Sequence, residues 1–470
     1  MIKALLKGSS IYGVAPFIPR ILSVLLLPIM TKYLTSQDYG IIGTITSILF
    51  AMQAFQTLGL QSLLPTYFYK CPVHYKVVWR DVYGFLIIWM AFFALLQTIV
   101  LYFFIPDCAS DNRWTIIILS VFANVLFGPT AIIGQLYYQL NLRPMPVAVR
   151  AVVSGFLTIL ANFVCVVWLR WGYLGAYVGT FAGVVFTNIS YWFVVNFKLR
   201  LTPILNFKKK TILKLLKVSM PTIPHFYTTF LLNSSNTISM NYYHKPQSEI
   251  GGLTMSQNFS NMFDGFIHAI NQVFGPMQLK FIKENNRFEL KRMMILYVLI
   301  TYSLTFTFSL WSKEIYMLLV HNEELVNTYK LSIFLIMALN YRPIYVYCSS
   351  YFFYHERTKP LLLITFVAGI LACLIYFVFV PSWGAWAAVV GFFIGCLYFG
   401  YSGLFFPFYK KVNVCDLKLK PLCLVQIMLT LSALYLVDGP LMLKILVYVA
   451  FLMLVLGTFK MKVKTNRIRA

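Results

Sequence analysis

Five ionisable side chains interrupt long apolar stretches of this chain: Arg20, His225, Asp264, His268 and Arg342. At the centre of a bilayer each such group costs about 2.5–3.5 kcal/mol on the insertion scale, so each needs a reason to be there. Asp264 and His268 are spaced i, i+4 and share one helix face. Arg20 follows Pro19, His225 follows Pro224, and Arg342 precedes Pro343. With both histidines neutral, two arginines outweigh one acid, and a cavity built from these groups is net positive. Such a cavity suits an anion, and the planar guanidinium fork favours a diphosphate. Asp264, the single interior acid among them, is the candidate for a coupling proton or cation. The alternative is that Asp264 pairs with His268 or an arginine only to satisfy buried charge. His225 has its own alternative, staying neutral or reaching the interface.

The elements that must carry these groups are membrane helices. Hydrophobic residues make up 60% of 470 positions and charged ones 11%, far below the globular norm of about a quarter charged. Fourteen apolar segments, from 10–31 to 441–459, are long enough to cross about 30 Å of hydrocarbon. The runs are continuous rather than alternating, which excludes a β-barrel. The expected fold is therefore all-α and polytopic, with about 14 transmembrane helices.

The net charge of +25 is a matter of topology. With the N-terminus inside, 30 of the 39 Lys and Arg fall on the cytoplasmic side, which sets both termini there. That leaves nucleic acid without support as a partner. Lys208, Lys209, Lys210, Lys214 and Lys217 either hold that topology or form the polar face of an interfacial helix over 211–218. The first apolar run is too long for a signal peptide and has no small-residue cleavage site. The eight cysteines include no C-x-x-C pair, so neither a disulfide framework nor a metal site is expected. No G-x-x-x-x-G-K-[ST] occurs, so ATP is not the energy source in the P-loop manner. A proton or sodium gradient would serve, and no cofactor is expected. The short loops leave no domain for an active site, so no catalytic residue is assigned.

The chain repeats itself. Pro16-Phe17-Ile18-Pro19-Arg20 matches Pro221-Thr222-Ile223-Pro224-His225; Asp38-Tyr39-Gly40 matches Glu249-Ile250-Gly251; Pro65 matches Pro276. Trp171-Gly172 with Ala176, Gly179 and Gly183 matches Trp383-Gly384 with Ala388, Gly391 and Gly395. Six spans separate the copies, so they run parallel, a layout that places substrate at the repeat interface. The expected division is an N-terminal lobe over 1–207, a C-terminal lobe over 208–411, and two accessory helices with a basic tail over 412–470. Pro16, Pro19 and Pro28 in the first span, and Pro221 and Pro224 in the seventh, free backbone groups and suit gating.

Four stretches carry a family resemblance: Thr31–Gly40, Leu58-Gly59-Leu60, Lys214–Pro221, and the Gly-Ala pattern after Trp383-Gly384. Their order resembles the bacterial polysaccharide-biosynthesis flippases of the Wzx type, O-antigen and capsule exporters of the multidrug/oligosaccharidyl-lipid/polysaccharide exporter superfamily. One departure is Leu64-Pro65-Thr66-Tyr67, where that family usually places a basic residue before the Tyr. The resemblance implies two six-helix lobes in a V and a polyprenyl-diphosphate-linked oligosaccharide moved outward across the inner membrane by alternating access. It implies a cationic central cavity, which Arg20, His225, His268 and Arg342 fit by position, with membrane lipids and other polysaccharide assembly proteins as partners. The alternatives are a cation-coupled multidrug exporter and, from another class, a membrane-embedded polymerase or acyltransferase.

Overall fold

The computed structural model describes residues 17–451 and 453, apart from 71–72, 123–124, 126, 142, 144, 221–222, 355–358 and 406–416. All regular structure among the described residues is helical. Nine of these helices are long and apolar enough to cross a membrane. The chain divides into two compact units, Met1–Phe230 with Pro246–Gly251, and Leu231–Lys245 with Gly252–Ala470.

In the first unit the principal helices are α1 (Phe17–Tyr33), α2 (Ser36–Gln56), α3 (Tyr75–Phe104), α4 (Gly128–Leu140), α5 (Met145–Asn162), α6 (Tyr173–Phe193), α7 (Lys209–Ser219) and the start of α8 (Ile223–Asn233). The sequence dictates how α2 begins. Thr35 caps it by accepting from the Asp38 N–H at 3.1 Å, while Asp38 Oδ2 accepts from the Thr35 N–H at 2.8 Å, so two orphan donors are satisfied reciprocally. Asp38 Oδ1 also accepts from the Tyr173 N–H at 3.2 Å, tying the start of α6 to the start of α2.

Helix α3 shows what its surroundings are. Trp79, Val82, Tyr83, Leu86 and Met90 are buried, while Ile88, Phe92, Leu95, Ile99 and Phe103 form an exposed stripe on another face. An exposed apolar stripe of that length belongs in hydrocarbon. Helix α7 is amphipathic across its short length: Ile212 and Leu215 join the cluster around Trp79 and Leu86, and its lysines point outward. The lysine-rich segment is thus a helix packed on α3.

The second unit holds α9 (Ser235–Tyr242), most of α10 (Gln247–Lys283), α11 (Arg287–Leu310), α12 (Tyr329–Ala338), α13 (Arg342–Tyr354), α14 (Lys359–Trp383), α15 (Ala385–Tyr401), α16 (Leu419–Leu436) and α17 (Leu441–Phe451). The hairpin α16–α17 is held by ions. Asp438 in its turn meets Lys313 at 3.1 Å and Lys330 at 2.7 Å, and buried Lys444 meets Glu314 at 2.6 Å.

Two spans of this unit are broken, each for a readable reason. Between α12 and α13 lies a short 3₁₀ turn, Leu339–Tyr341. Pro343 has no N–H to give the Leu339 carbonyl, so the Arg342 N–H takes that carbonyl three residues on. The other break, at Ser234, has no proline. There Ser235 Oγ donates to the Leu231 carbonyl at 2.6 Å, Tyr376 Oη to Leu232 at 2.9 Å and Gln257 Nε2 to Asn233 at 3.2 Å. Side chains from three helices thus meet the carbonyls that a helix end leaves over. The first span differs: Pro28 sits inside the continuous helix α1. Pro19 and Pro224 lie within the described lengths of α1 and α8.

Candidate functional site

The first functional cluster grows from helix α10. Asp264 and His268 lie one turn apart on it, as their spacing requires. Beside them, Phe263 and Ile267 pack with Ile336 and Leu339, an apolar contact that clamps α10 against the 3₁₀ turn before α13. Asn340 in that turn is fully buried, and its Oδ1 accepts from Thr305 Oγ1 at 2.7 Å. The turn is therefore fixed from two sides, and it delivers Arg342 to Asp264.

Arg342 Nη2 forms an ion pair with Asp264 Oδ1, and Arg342 Nη1 lies 2.9 Å from His268 Nε2. His268 Nε2 is 3.7 Å from Asp264 Oδ2. Arginine has only donors, so His268 must accept at Nε2 and carry its proton on Nδ1. The ring is neutral in this arrangement. Guanidinium and carboxylate then cancel, and the three residues together hold no net charge. Arg342 Nε and Asn340 Nδ2 are buried without a hydrogen-bond partner among the described residues. A guanidinium with donor capacity to spare, inside an apolar span, is poised to take a further acceptor.

The structure brings together three of the five ionisable groups expected within spans: Asp264, His268 and Arg342. Their triangle resolves which partner Asp264 has, an arginine first and His268 second. The side chains of Arg20 and His225, and all of Pro16 and Pro221, lie outside the described residues.

The first unit contributes a cavity of about 400 Å³ between α2, α4, α6 and α8. Gln53 and Gln56, three apart on α2, and Gln61 just beyond it face this space together with Asn188, Tyr227 and Thr229. The turn that carries the wall from α2 to Gln61 is Leu58-Gly59, both left-handed, with φ of 49° and 71°. Tyr227 Oη donates to the Ala51 carbonyl at 3.0 Å, which pins the aromatic side of the cavity to α2. Sequence reasoning passed over these amides. A glutamine pair at helical spacing inside an apolar segment was the available signal.

A family model described as polysaccharide biosynthesis protein matches residues 5–282, more than half of the chain. Among solved structures, the lipid II flippase MurJ in an inward closed conformation is 17% identical with a TM-score of 0.71, covering 96% of this chain and 99% of that one. An inward-facing multidrug resistance MATE transporter of the MOP superfamily is 14% identical with a TM-score of 0.58, over 88% of this chain and 95% of that one. An outward-facing multidrug resistance MATE family transporter of the MOP superfamily is 13% identical with a TM-score of 0.55, over 88% of this chain and 97% of that one. No curated protein matches by sequence. The fold is that of MurJ and the MATE transporters.

Proposed function

The chain belongs to the polysaccharide biosynthesis protein family, and from that premise we propose that it is a flippase for a polyprenyl-diphosphate-linked oligosaccharide repeat unit. It would act by alternating access in the inner membrane, with both termini cytoplasmic. Family and fold are those of transporters, and neither cluster described above requires covalent chemistry. Membrane lipids and other polysaccharide assembly proteins are the partners this reading entails.

The family match is the observation that carries the proposal, and the Arg342 site supplies a mechanism. A guanidinium held by Asp264 and His268 is a diphosphate receptor with its own carboxylate in place. Substrate phosphate and Asp264 compete for Arg342. Displacement of the carboxylate admits the lipid diphosphate, and its return helps to expel it. Once displaced, Asp264 is the group that would take a proton or sodium ion, which makes it the coupling candidate. Arg20 and His225 are proposed as further cationic or titratable groups that the substrate meets.

A multidrug exporter is the second reading, favoured by the MATE-like fold. A cationic drug needs an available acid, and the Asp264 carboxylate is already occupied by Arg342. The deciding experiment is deletion of the gene followed by analysis of lipid-linked glycans. Complete repeat units should accumulate on the inner leaflet. Altered glycan structure would point to an enzyme, and unchanged glycan export would refute the flippase reading.

A further inference from the structure

We propose that the cavity in the first unit is a subsite for uncharged sugar residues of the transported glycan, an assignment that rests on the flippase reading. None of its described lining residues is an acid or a base that carries charge at neutral pH. The wall offers amides from Gln53, Gln56, Gln61 and Asn188, and hydroxyls from Tyr227 and Thr229. Among the described residues the side-chain amides of Gln53, Gln56 and Gln61 make no hydrogen bond with the protein. Each amide presents both a donor and an acceptor, which matches the mixed donor and acceptor character of a sugar hydroxyl.

Size and shape agree with that chemistry. A volume of about 400 Å³ lies within the range of about 300–1,000 Å³ typical of small-molecule sites. Tyr227 packs edge-on against Phe55 and Phe230, with ring centroids 5.5 and 5.9 Å away, and its hydroxyl is fixed on Ala51. The aromatic residues offer a surface to the apolar side of a pyranose ring, while the amides of the wall serve its hydroxyls. Among the described lining residues a uronic acid would find no cation, and burying its carboxylate unpaired is costly. The subsite therefore selects neutral hexoses and N-acetylhexosamines over acidic sugars.

The test uses the purified full chain in proteoliposomes and three fluorescent polyprenyl-diphosphate lipids. One carries an uncharged trisaccharide, one a trisaccharide with two uronic acids, and one a single N-acetylhexosamine. The wild type should move the neutral trisaccharide lipid faster than the acidic one. Gln53→Ala with Gln61→Ala should lower apparent affinity for the neutral trisaccharide by about tenfold, with little effect on the single-sugar lipid. Gln61→Arg should raise movement of the acidic probe several-fold, a gain that a misfolded variant could not give. If the wild type moves none of the lipids, the flippase reading fails and takes the subsite with it. If the wild type moves them but all variants keep its preferences, the subsite alone is overturned.

Discussion

Gly40 and Gly251 occupy reciprocal points of one helix crossing. A Cβ on Gly40 would lie 1.9 Å from the Gln247 carbonyl oxygen, and one on Gly251 would lie 1.8 Å from that of Ser36. Both Ser36 to Gln247 and Gly40 to Gly251 are steps of 211 positions. The internal repeat is thus written into a pair of contacts that only glycine permits.

Substitution at this crossing has a defined outcome. The obstructing atoms are backbone, so no side chain can turn aside. Gly40→Ala and Gly251→Ala should each destabilise by about 1–3 kcal/mol, read as a lower melting temperature in detergent. Gly275, in the same helix as Gly251, has nothing within 4 Å of its added Cβ. Gly275→Ala should be neutral or stabilising by up to about 1 kcal/mol. Equal losses at all three glycines would show that helix propensity, not the crossing, is what matters.

A second pair of glycines repeats in backbone conformation. Gly172 has φ 54° and ψ −135°, and Gly384 has φ 53° and ψ −131°, each just before its helix, α6 or α15. Alanine in that region is strained by about 1–3 kcal/mol, so Gly172→Ala and Gly384→Ala should both lower the melting temperature. Asparagine tolerates the left-handed helical region near ψ +47°, which is far from these values. Rescue of either site by Asn would contradict the backbone account.

Those landmarks explain how much of this fold was legible in the sequence. Continuous apolar runs announced the helices, and conserved spacing of small residues within the chain announced the repeat, because both are local chemistry. The break at Ser234 was not legible, since it depends on Tyr376 and Gln257 arriving from other helices. The site divided in the same way. Asp264 and His268 could be paired by their spacing, but the arrival of Arg342 depends on a packing cluster and a proline-induced turn. The amide cavity drew on four segments, each unremarkable alone.

The Asp264–Arg342 pair can be separated into stability and transport. Both side chains are partly buried, at 23% and 17% exposure. Removing either partner strands a charge, at about 2–3 kcal/mol, somewhat under the full-burial cost because water still reaches both. Asp264→Asn should also leave Arg342 free to hold an anion, so substrate binding should tighten while export falls. The double variant Asp264→Asn with Arg342→Gln should recover most of the lost stability and none of the export. Recovery of export together with stability would give the pair a structural role alone.

The turn of the α16–α17 hairpin should impose a pH dependence outside the membrane spans. Hydrogen bonds from Lys330 and from the Tyr329 hydroxyl, with Lys313 beside them, hold the Asp438 carboxyl well below the usual carboxylate range. A group whose pKa falls on folding stabilises the fold wherever it is ionised, above its unfolded value of about 4, and that stability is lost as pH falls through the lowered folded value. Asp438→Asn should therefore lower the melting temperature by a constant amount from about pH 5 to 8. The gap between variant and wild type should begin to narrow below about pH 4 and close only as the pH falls through the lowered folded value. Because Asp438 is substantially exposed, the effect should be small and should shrink further at high salt. A gap that does not narrow at all between about pH 4 and about pH 2 would show that the Asp438 charge does not anchor the hairpin, leaving the buried Lys444–Glu314 pair as its ionic tie.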